Sequence, residues 1–290
     1  MSESARARWS LVAAAALFST GGVAIKHCSL GGWQVAGFRS GIAAVALALF
    51  LPAARRSLTP RAWLTGCAYA ATLLLFALSN KLTTSANAIF LQSTAPLYLM
   101  ILSPWLLGER LHRRDLFVMA AVAVGFALFF LEDAAVQRSA PHPRLGNLLA
   151  AASGLAWALT VVALRWLARS EPAAGRDPAL GSVVAGNLIA FAIALPFALP
   201  LGPSRATDWA VLAFLGIVQV GLAYVLVTRG LRHVPAFTGT LLLLVEPALN
   251  PLWAWLALDE QPGRLALCGG ALILGATALK SWWESRAAAT

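Results

Sequence analysis

Long apolar stretches recur along the whole chain, separated by short polar gaps, and they constrain the fold more than any other feature. A helix needs about 20 apolar residues to cross the roughly 30 Å hydrocarbon core of a bilayer, and such stretches follow one another from Trp9 to Trp282. Hydrophobic residues make up 59% of the chain and charged residues only 12%, whereas a soluble domain carries about 25% charged residues. The pattern predicts an all-α, polytopic membrane protein.

The boundaries of the stretches predict ten transmembrane helices joined by short loops. Tryptophan supports these ends, because indole prefers the headgroup boundary; of the eleven tryptophans, all but Trp157 lie at or near a proposed end. The predicted spans are residues 9–26, 33–52, 63–79, 86–107, 116–131, 145–167, 180–200, 209–229, 237–258 and 265–282.

The basic residues are distributed unevenly between the two sides of this ten-helix arrangement. With the N-terminus inside, fifteen fall on the cytoplasmic side: Arg6, Arg8, Arg55, Arg56, Arg61, Arg110, Arg113, Arg114, Arg165, Arg169, Arg176, Arg229, Arg232, Lys280 and Arg286. Six fall outside: Lys26, Lys81, Arg138, Arg144, Arg205 and Arg264. An excess of Lys and Arg marks the cytoplasmic side, so we expect a multi-pass protein of the bacterial inner membrane with both termini cytoplasmic. The net charge of +10 then reflects topology and anionic lipid and not nucleic-acid binding.

The two halves of the chain resemble each other. At an offset of 151 residues, Pro96 meets Pro247 and Glu109 meets Glu260. Five helices is an odd number, so the second half must enter the membrane the opposite way up. We therefore predict a first five-helix repeat at 1–134, a connecting loop at 135–144 and a second, inverted repeat at 145–290. Inverted repeats are typical of secondary transporters, which bind substrate near the midplane between the halves.

Several short motifs resemble those of the EamA-type drug/metabolite transporters. They are Leu17-Phe18-Ser19 with Val23-Ala24-Ile25-Lys26, Phe38-Arg39, Pro96 followed by Gly108-Glu109, and Glu246-Pro247 followed by Asp259-Glu260. The resemblance covers nearly the whole chain. Two departures are Phe18, where tryptophan is frequent, and Asp259, where glycine is usual. The resemblance implies a ten-helix carrier of metabolites, with members for amino acids, nucleotide derivatives, sugars and toxic cations.

Glu246 is the most informative single residue, because it lies near the centre of the ninth predicted span. A carboxylate there costs about 3 kcal/mol unless it is protonated or faces a cavity. It could bind a substrate ammonium, carry a coupling proton, or fix helix packing. Arg39 lies within the second span and could attract a substrate carboxylate, pair with Glu246, or snorkel to the outer headgroups.

Other side chains complete the candidate substrate site. Pro96 and Pro247 interrupt corresponding helices of the two halves, which is typical of a transporter substrate site; simple kinks are the alternative. Trp157 and Phe18 lie at matching mid-span positions and could sandwich an apolar group; ordinary helix packing is the alternative. The remaining polar or aromatic candidates, each of which could instead serve packing, are Asn250, Asn87, Phe90, Thr94, Tyr98, Gln219 and Tyr224. We expect the cavity to be bounded by the first, third, fourth, sixth, eighth and ninth helices.

Residues near the helix ends have structural interpretations. Lys26 is interpreted as an interface anchor. Glu109 and Glu260 are expected to tie helix ends to a neighbouring arginine or to backbone amides. Gly37 and Gly41 are spaced for close helix contact.

The sequence has no phosphate-binding loop, HExxH motif, Cys/His cluster or Gly-x-Ser-x-Gly elbow. No enzyme activity, cofactor or metal is therefore expected, and transport would draw on substrate or proton gradients. The leading function is export of amino acids or similar small metabolites by alternating access. Efflux of organic cations or drugs is the alternative within transport, and an intramembrane enzyme or a structural scaffold the alternative outside it. The expected partners are a small-molecule solute and the lipid bilayer.

Overall fold

A computed structural model of the chain describes residues 3–95, 97–98, 113–131, 139–170, 177–233, 242–243, 245–260 and 263–287. These residues are almost entirely helical, and no β-strand occurs within the described ranges. The all-helical prediction is therefore confirmed. The helices are α1 Glu3–Ser19, α2 Gly21–His27, α3 Gly32–Phe50, α4 Pro52–Arg55, α5 Pro60–Leu82, α6 Ser85–Gln92, α7 Arg113–Leu131, α8 Pro143–Ser170, α9 Pro178–Ala198, α10 Ala206–Ala213, a π-helical segment Phe214–Leu222, α11 Ala223–His233, α12 Val245–Leu258 and α13 Arg264–Ala287.

Six helical stretches are long and apolar enough to cross a membrane, which makes the chain a multi-pass membrane protein. They are Ala5–His27, Gly32–Phe50, Pro60–Leu82, Pro143–Leu164, Pro178–Ala198 and Ala206–Gly230. Two shorter apolar helical stretches, Leu116–Leu128 and Arg264–Ala276, occur in α7 and α13. Each of the ten predicted spans overlaps a described helix.

Local sequence determines where several of these helices begin. Thr59 precedes Pro60, and its Oγ1 accepts a hydrogen bond from the Ala62 amide at 3.2 Å. Asp177 precedes Pro178 in the same way and accepts from the Leu180 amide at 3.2 Å. Proline is suited to the first helical position because its missing N–H has no intrahelical partner there. The caps thus set the first turns of α5 and α9.

Small residues let the long helices approach closely. A Cβ added at Gly37 would lie 2.9 Å from the Ala194 Cβ, and one added at Gly41 would lie 2.9 Å from the Phe191 ring. The predicted close contact of this glycine pair is confirmed, and the partner helix is α9. In the same bundle, α5 packs on both α8 and α9, while α1 packs on α11 and α12. The packing thereby joins helices from the two halves of the chain.

A π-helical segment at Phe214–Leu222 interrupts the eighth span between α10 and α11. Such segments insert an extra residue into a helical turn and frequently occur at functional sites. Gly216 allows this segment to approach α3, since a Cβ there would lie 2.7 Å from the Arg39 carbonyl oxygen. The segment carries Gln219 and Val220, which face the interior.

Candidate functional site

A cavity lies in the interior of the bundle, between side chains from both halves of the chain. Its volume is about 490 Å³ when all the space between its bounding atoms, including the opening, is counted. It is lined by Phe18, Arg39, Thr72, Leu73, Phe76, Gln92, Trp157, Gln219, Val220, Tyr224 and Glu246. All six helices expected to bound the cavity contribute a residue, and the second span adds Arg39.

The cavity has one cationic and one anionic side chain. The Arg39 side chain is buried in the protein at 1% exposure, so it does not snorkel to the headgroups. Its Nη2 donates to the Leu73 carbonyl oxygen at 2.8 Å, and its Nε is buried without a hydrogen-bond partner among the described atoms. Glu246 is half-buried, and no ion pair with Arg39 is present within the part of the chain that the structure describes. The acidic and the basic side chain therefore line the cavity without pairing with each other.

Aromatic rings form one wall of the cavity around Tyr224. The Tyr224 ring centroid lies 5.1 Å from Phe18 and 4.8 Å from Tyr69, both in edge-on geometry. Trp157 lies 6.4 Å away, also edge-on. Edge-to-face rings at these distances stabilise one another beyond the area they bury. Trp157 and Phe18 therefore share a wall, as matching positions of two repeats would, with Tyr224 as the ring that both contact.

Amides and hydroxyls form the polar part of the lining. Gln92 Nε2 donates to Ser153 Oγ at 2.7 Å, which holds the fourth span against the sixth. The Thr72 and Thr160 hydroxyls lie 3.2 Å apart and join the third span to the sixth. Gln219 Nε2 lies 3.4 Å from the Phe18 carbonyl oxygen, and its Oε1 has no partner among the described atoms. That oxygen is free to accept from a solute.

Five other candidates lie outside the cavity lining. Asn250 is fully buried and accepts from Ser85 Oγ at 2.8 Å. Asn87 Nδ2 lies 3.4 Å from Asn147 Oδ1, and Thr94 Oγ1 donates to the Leu91 carbonyl oxygen in the last turn of α6. The remaining two also contact protein: Phe90 packs near Gly270, and the Tyr98 hydroxyl donates to the Ala151 carbonyl. Each of these five side chains therefore contacts other protein groups and does not line the cavity.

The two helix-breaking prolines differ in what the structure describes. Pro96 lies outside the described residues. Pro247 lies in α12, whose described part begins at Val245 after the undescribed residue 244, and it is buried. Pro251 lies in the same helix and was not a candidate from sequence.

Leu73, Phe76 and Val220 line the cavity without having been candidates from sequence, and Gln92 was expected only as a neighbour of the polar face of the fourth span. Gln92 had a usable signal, because it is a polar residue in a predicted span and its own backbone carbonyl is the one that Pro96 leaves without an intrahelical donor. The three apolar residues have no such signal, since their composition is that of any packed position. Whether each of them faces the cavity depends on how its helix is rotated about its own axis in the bundle.

Comparison with known families identifies the chain. The model of the EamA-like transporter family matches residues 7–131 and again residues 144–282. The chain belongs to the EamA-like transporter family. Membership makes it a membrane transporter of small molecules with two family repeats, and it supports a non-enzymatic role.

Individual relatives agree with the family. The chain is 29% identical over 227 residues to an uncharacterized transporter of Archaeoglobus fulgidus, covering 73% of this chain and 77% of the relative. It is 26% identical over 192 residues to the pseudopaline exporter CntI of Pseudomonas aeruginosa, covering 65% of this chain and 63% of the exporter. A protein of known crystal structure superposes with a TM-score of 0.64 at 25% identity, over 97% of this chain and 98% of the other.

Proposed function

We propose that this EamA-like transporter exports amino acids or similar zwitterionic metabolites by alternating access at the central cavity. The observation that carries the proposal is that Arg39 and Glu246, one from each half, line one cavity beside an aromatic wall. A guanidinium suits a substrate carboxylate, and a carboxylate suits a substrate ammonium. The rings around Tyr224 suit an apolar side chain.

The proposed architecture is ten transmembrane helices in two inverted repeats, at 1–134 and 145–290, joined by 135–144. The protein is proposed to lie in the bacterial inner membrane with both termini cytoplasmic. Export is the direction that agrees with the similarity to the pseudopaline exporter of Pseudomonas aeruginosa. Glu246 is the proposed carrier of a coupling proton if transport is proton-driven, since it is the carboxylate in the lining.

Efflux of organic cations is the second candidate function, and one observation favours it. The Arg39 guanidinium already donates to the Leu73 carbonyl, whereas Glu246 and the aromatic wall remain open to the cavity. A carboxylate beside aromatic faces is a suitable environment for an organic cation. Substrates that lack a carboxylate would then be carried as well as zwitterions.

Solute counterflow into proteoliposomes tests the proposal with labelled amino acids, polyamines and cationic dyes. The decisive comparison is the initial rate of wild type against Glu246→Gln at matched reconstituted protein. A hydrogen bond to a charged group contributes about 1.5–3 kcal/mol, so the rate should fall by about 10- to 100-fold. Glu246→Asp should keep partial activity because it keeps the charge.

A matched control separates the role of Glu246 from a general effect of losing a carboxylate. Asp259→Asn makes the same chemical change at an exposed residue outside the cavity, and its rate should equal that of wild type. Equal rates for wild type and Glu246→Gln would make Glu246 a packing residue. Absence of flux for every solute class would remove the transport proposal in its present form.

A further inference from the structure

A buried ion pair joins the two halves of the chain at some distance from the central cavity. Lys26 Nζ lies 3.0 Å from Glu260 Oε1, and the two side chains are 5% and 1% exposed. Lys26 also donates to the carbonyl oxygens of Thr83, at 2.8 Å, and Ser139. Glu260 Oε2 accepts from the Ser85 amide at 2.8 Å. Lys26 is thus buried and not the interface anchor expected from its position, whereas the expected tie between Glu260 and backbone amides is confirmed.

This pair draws five chain segments together at one end of the bundle. Lys26 is at the end of α2, Thr83 follows α5, and Ser85 begins α6. Ser139 precedes α8, and Glu260 follows α12. Ser139 belongs to the connecting loop between the halves, and Glu260 belongs to the second half of the chain. All five lie on the side of the membrane opposite the N-terminus, because the first span separates Lys26 from it.

A tightly packed layer fills the space between the ion pair and the cavity. Ser85 Oγ donates to Asn250 Oδ1 at 2.8 Å. A Cβ added at Gly22 would lie 1.9 Å from Ser85 Oγ and 2.9 Å from Asn250 Nδ2. Because of this contact, no side chain larger than that of glycine fits at position 22 without displacing its neighbours.

The helical register places this layer between the pair and the cavity. Along the first span the order is Phe18 in the cavity wall, Gly22 in the layer and Lys26 in the pair. Successive members are four residues apart, which is about 6 Å along a helix. Along α12, Glu246 lines the cavity and Asn250 belongs to the layer one turn further on, followed by Glu260. The two helices, one from each half, have the same order.

We propose that this arrangement is the closed outer gate of the transporter and that the Lys26–Glu260 pair stabilises its closed state. We define the outer gate as Lys26, Glu260, Gly22, Ser85 and Asn250. The inference rests on the proposed alternating access, in which each side of the cavity must close in turn. Since the desolvation cost of a buried pair roughly cancels its attraction, water entering the gate can separate the two charges at little net cost. Apolar side chains in the same position would not be stabilised by water when the gate opens.

The gate predicts opposite results for two ways of removing the charges. Glu260→Gln leaves Lys26 buried without its counter-charge, which destabilises the closed state. The double variant Lys26→Met with Glu260→Leu replaces the pair by apolar groups, which is often neutral or stabilising when buried. The single variant should therefore open the gate more often, and the double variant should keep it closed.

Accessibility of a cysteine in the cavity measures gate opening without any substrate. Val220 lines the cavity at 2% exposure. The background protein for this measurement carries Val220→Cys, with Cys28, Cys67 and Cys268 replaced by alanine. A membrane-impermeant methanethiosulfonate is applied to intact cells and to inside-out vesicles. With Glu260→Gln, labelling from outside should be about tenfold faster or more, since tenfold corresponds to about 1.4 kcal/mol. Asp259→Asn, the matched change at the neighbouring residue, should label as the background does.

The double variant supplies the second measurement, and it covers the case in which Glu260→Gln fails to reach the membrane. It should label as slowly as the background and lose solute flux, because its gate stays shut. Equal labelling of Glu260→Gln and the background would overturn the gate, and so would wild-type flux in the double variant. Failure of the proposed function is distinguishable: it appears as no flux in wild type, while the labelling rates still report the gate.

Discussion

Arg39 is the largest of the fully buried side chains in the described part of the protein. An arginine in the membrane interior is costly on insertion scales, at about 2.5–3.5 kcal/mol, and a hydrogen bond to the Leu73 carbonyl offsets part of that cost. Its buried Nε, without a partner among the described atoms, is available to a substrate carboxylate. We propose that this residue discriminates between the two candidate substrate classes.

Arg39→Gln should weaken transport of zwitterions while preserving transport of organic cations. Loss of a charge-assisted contact of about 1.5–3 kcal/mol should raise the KM for an amino acid by about tenfold or more. Counterflow with an amino acid and with a cationic dye, in the same proteoliposomes, measures both. If the two solutes lose rate equally, Arg39 stabilises the fold and does not select the substrate.

Asp259 shows why glycine is usual at its position. Its φ is 51°, in the left-handed region, directly after α12 ends at Leu258. A residue with a Cβ pays about 1–2 kcal/mol there, although aspartate tolerates the conformation better than most.

Asp259→Gly should therefore raise the free energy of unfolding by about 0.5–1 kcal/mol, and Asp259→Val should lower it. Thermal unfolding in detergent measures both variants. A midpoint for Asp259→Gly below that of wild type would show that another contact of Asp259 outweighs the backbone strain.

At the scale of helices, the closest approach of α5 and α9 depends on a pair of glycines. A Cβ at Gly66 would lie 2.8 Å from the Gly186 amide nitrogen, and one at Gly186 would lie 2.8 Å from the Gly66 carbonyl oxygen. These neighbours are backbone atoms, so they cannot rotate away as a side chain can. The contact holds a helix of the first half against one of the second.

Gly66→Ala should destabilise the protein by about 1–3 kcal/mol through overpacking. Gly275→Ala is the matched control within a helix, because no atom of the residues that the structure describes lies within 4 Å of an added Cβ there. It should be neutral or stabilising by up to about 1 kcal/mol. Thermal unfolding of both variants in the same detergent measures the difference. Equal unfolding midpoints would mean that α5 and α9 can move apart to accommodate the added methyl group without loss of stability.

The positions of the helices could be predicted from the sequence, whereas the π-helical interruption of one of them could not. Ten apolar stretches predicted helices at positions that each overlap an observed one, because hydrocarbon requires every backbone group to bond within its own segment. The π-helical segment at Phe214–Leu222 had no signal in that pattern. It lies where Gly216 packs closely against α3, a contact between residues far apart in sequence.

At the scale of the whole molecule, the orientation in the membrane stays a prediction from charge. Fifteen basic residues against six place both termini in the cytoplasm and Pro141 in the periplasm. Reporter fusions at Thr290 and Pro141 test this orientation. A reporter that works only in the periplasm should be active at Pro141 and silent at Thr290, and the reverse pattern would contradict the proposed topology.

The polar residues within the predicted spans show which part of the site could be predicted from sequence and which could not. From residue types alone, Glu246, Arg39, Gln219, Tyr224, Trp157 and Phe18 were candidates, and the structure brings all six to one cavity. Mid-membrane polar and aromatic residues are few, so each has a small choice of roles. Asn250 and Lys26 show the opposite case. Both are polar at plausible positions, yet their partners are Ser85 and Glu260, more than 160 residues away.

By itself the sequence determined that the chain is helical, crosses the membrane repeatedly and consists of two related halves, because these properties follow from segment length, apolar composition and repeat spacing. Only the tertiary structure decided which polar residues face the cavity and which close the bundle beside it. The physical reason is that both kinds of residue carry the same chemistry and lie on the same helices. Four residues, about 6 Å along the helix, separate Glu246 in the cavity from Asn250 in the outer gate, and the assignment of each depends on the neighbours that packing supplies.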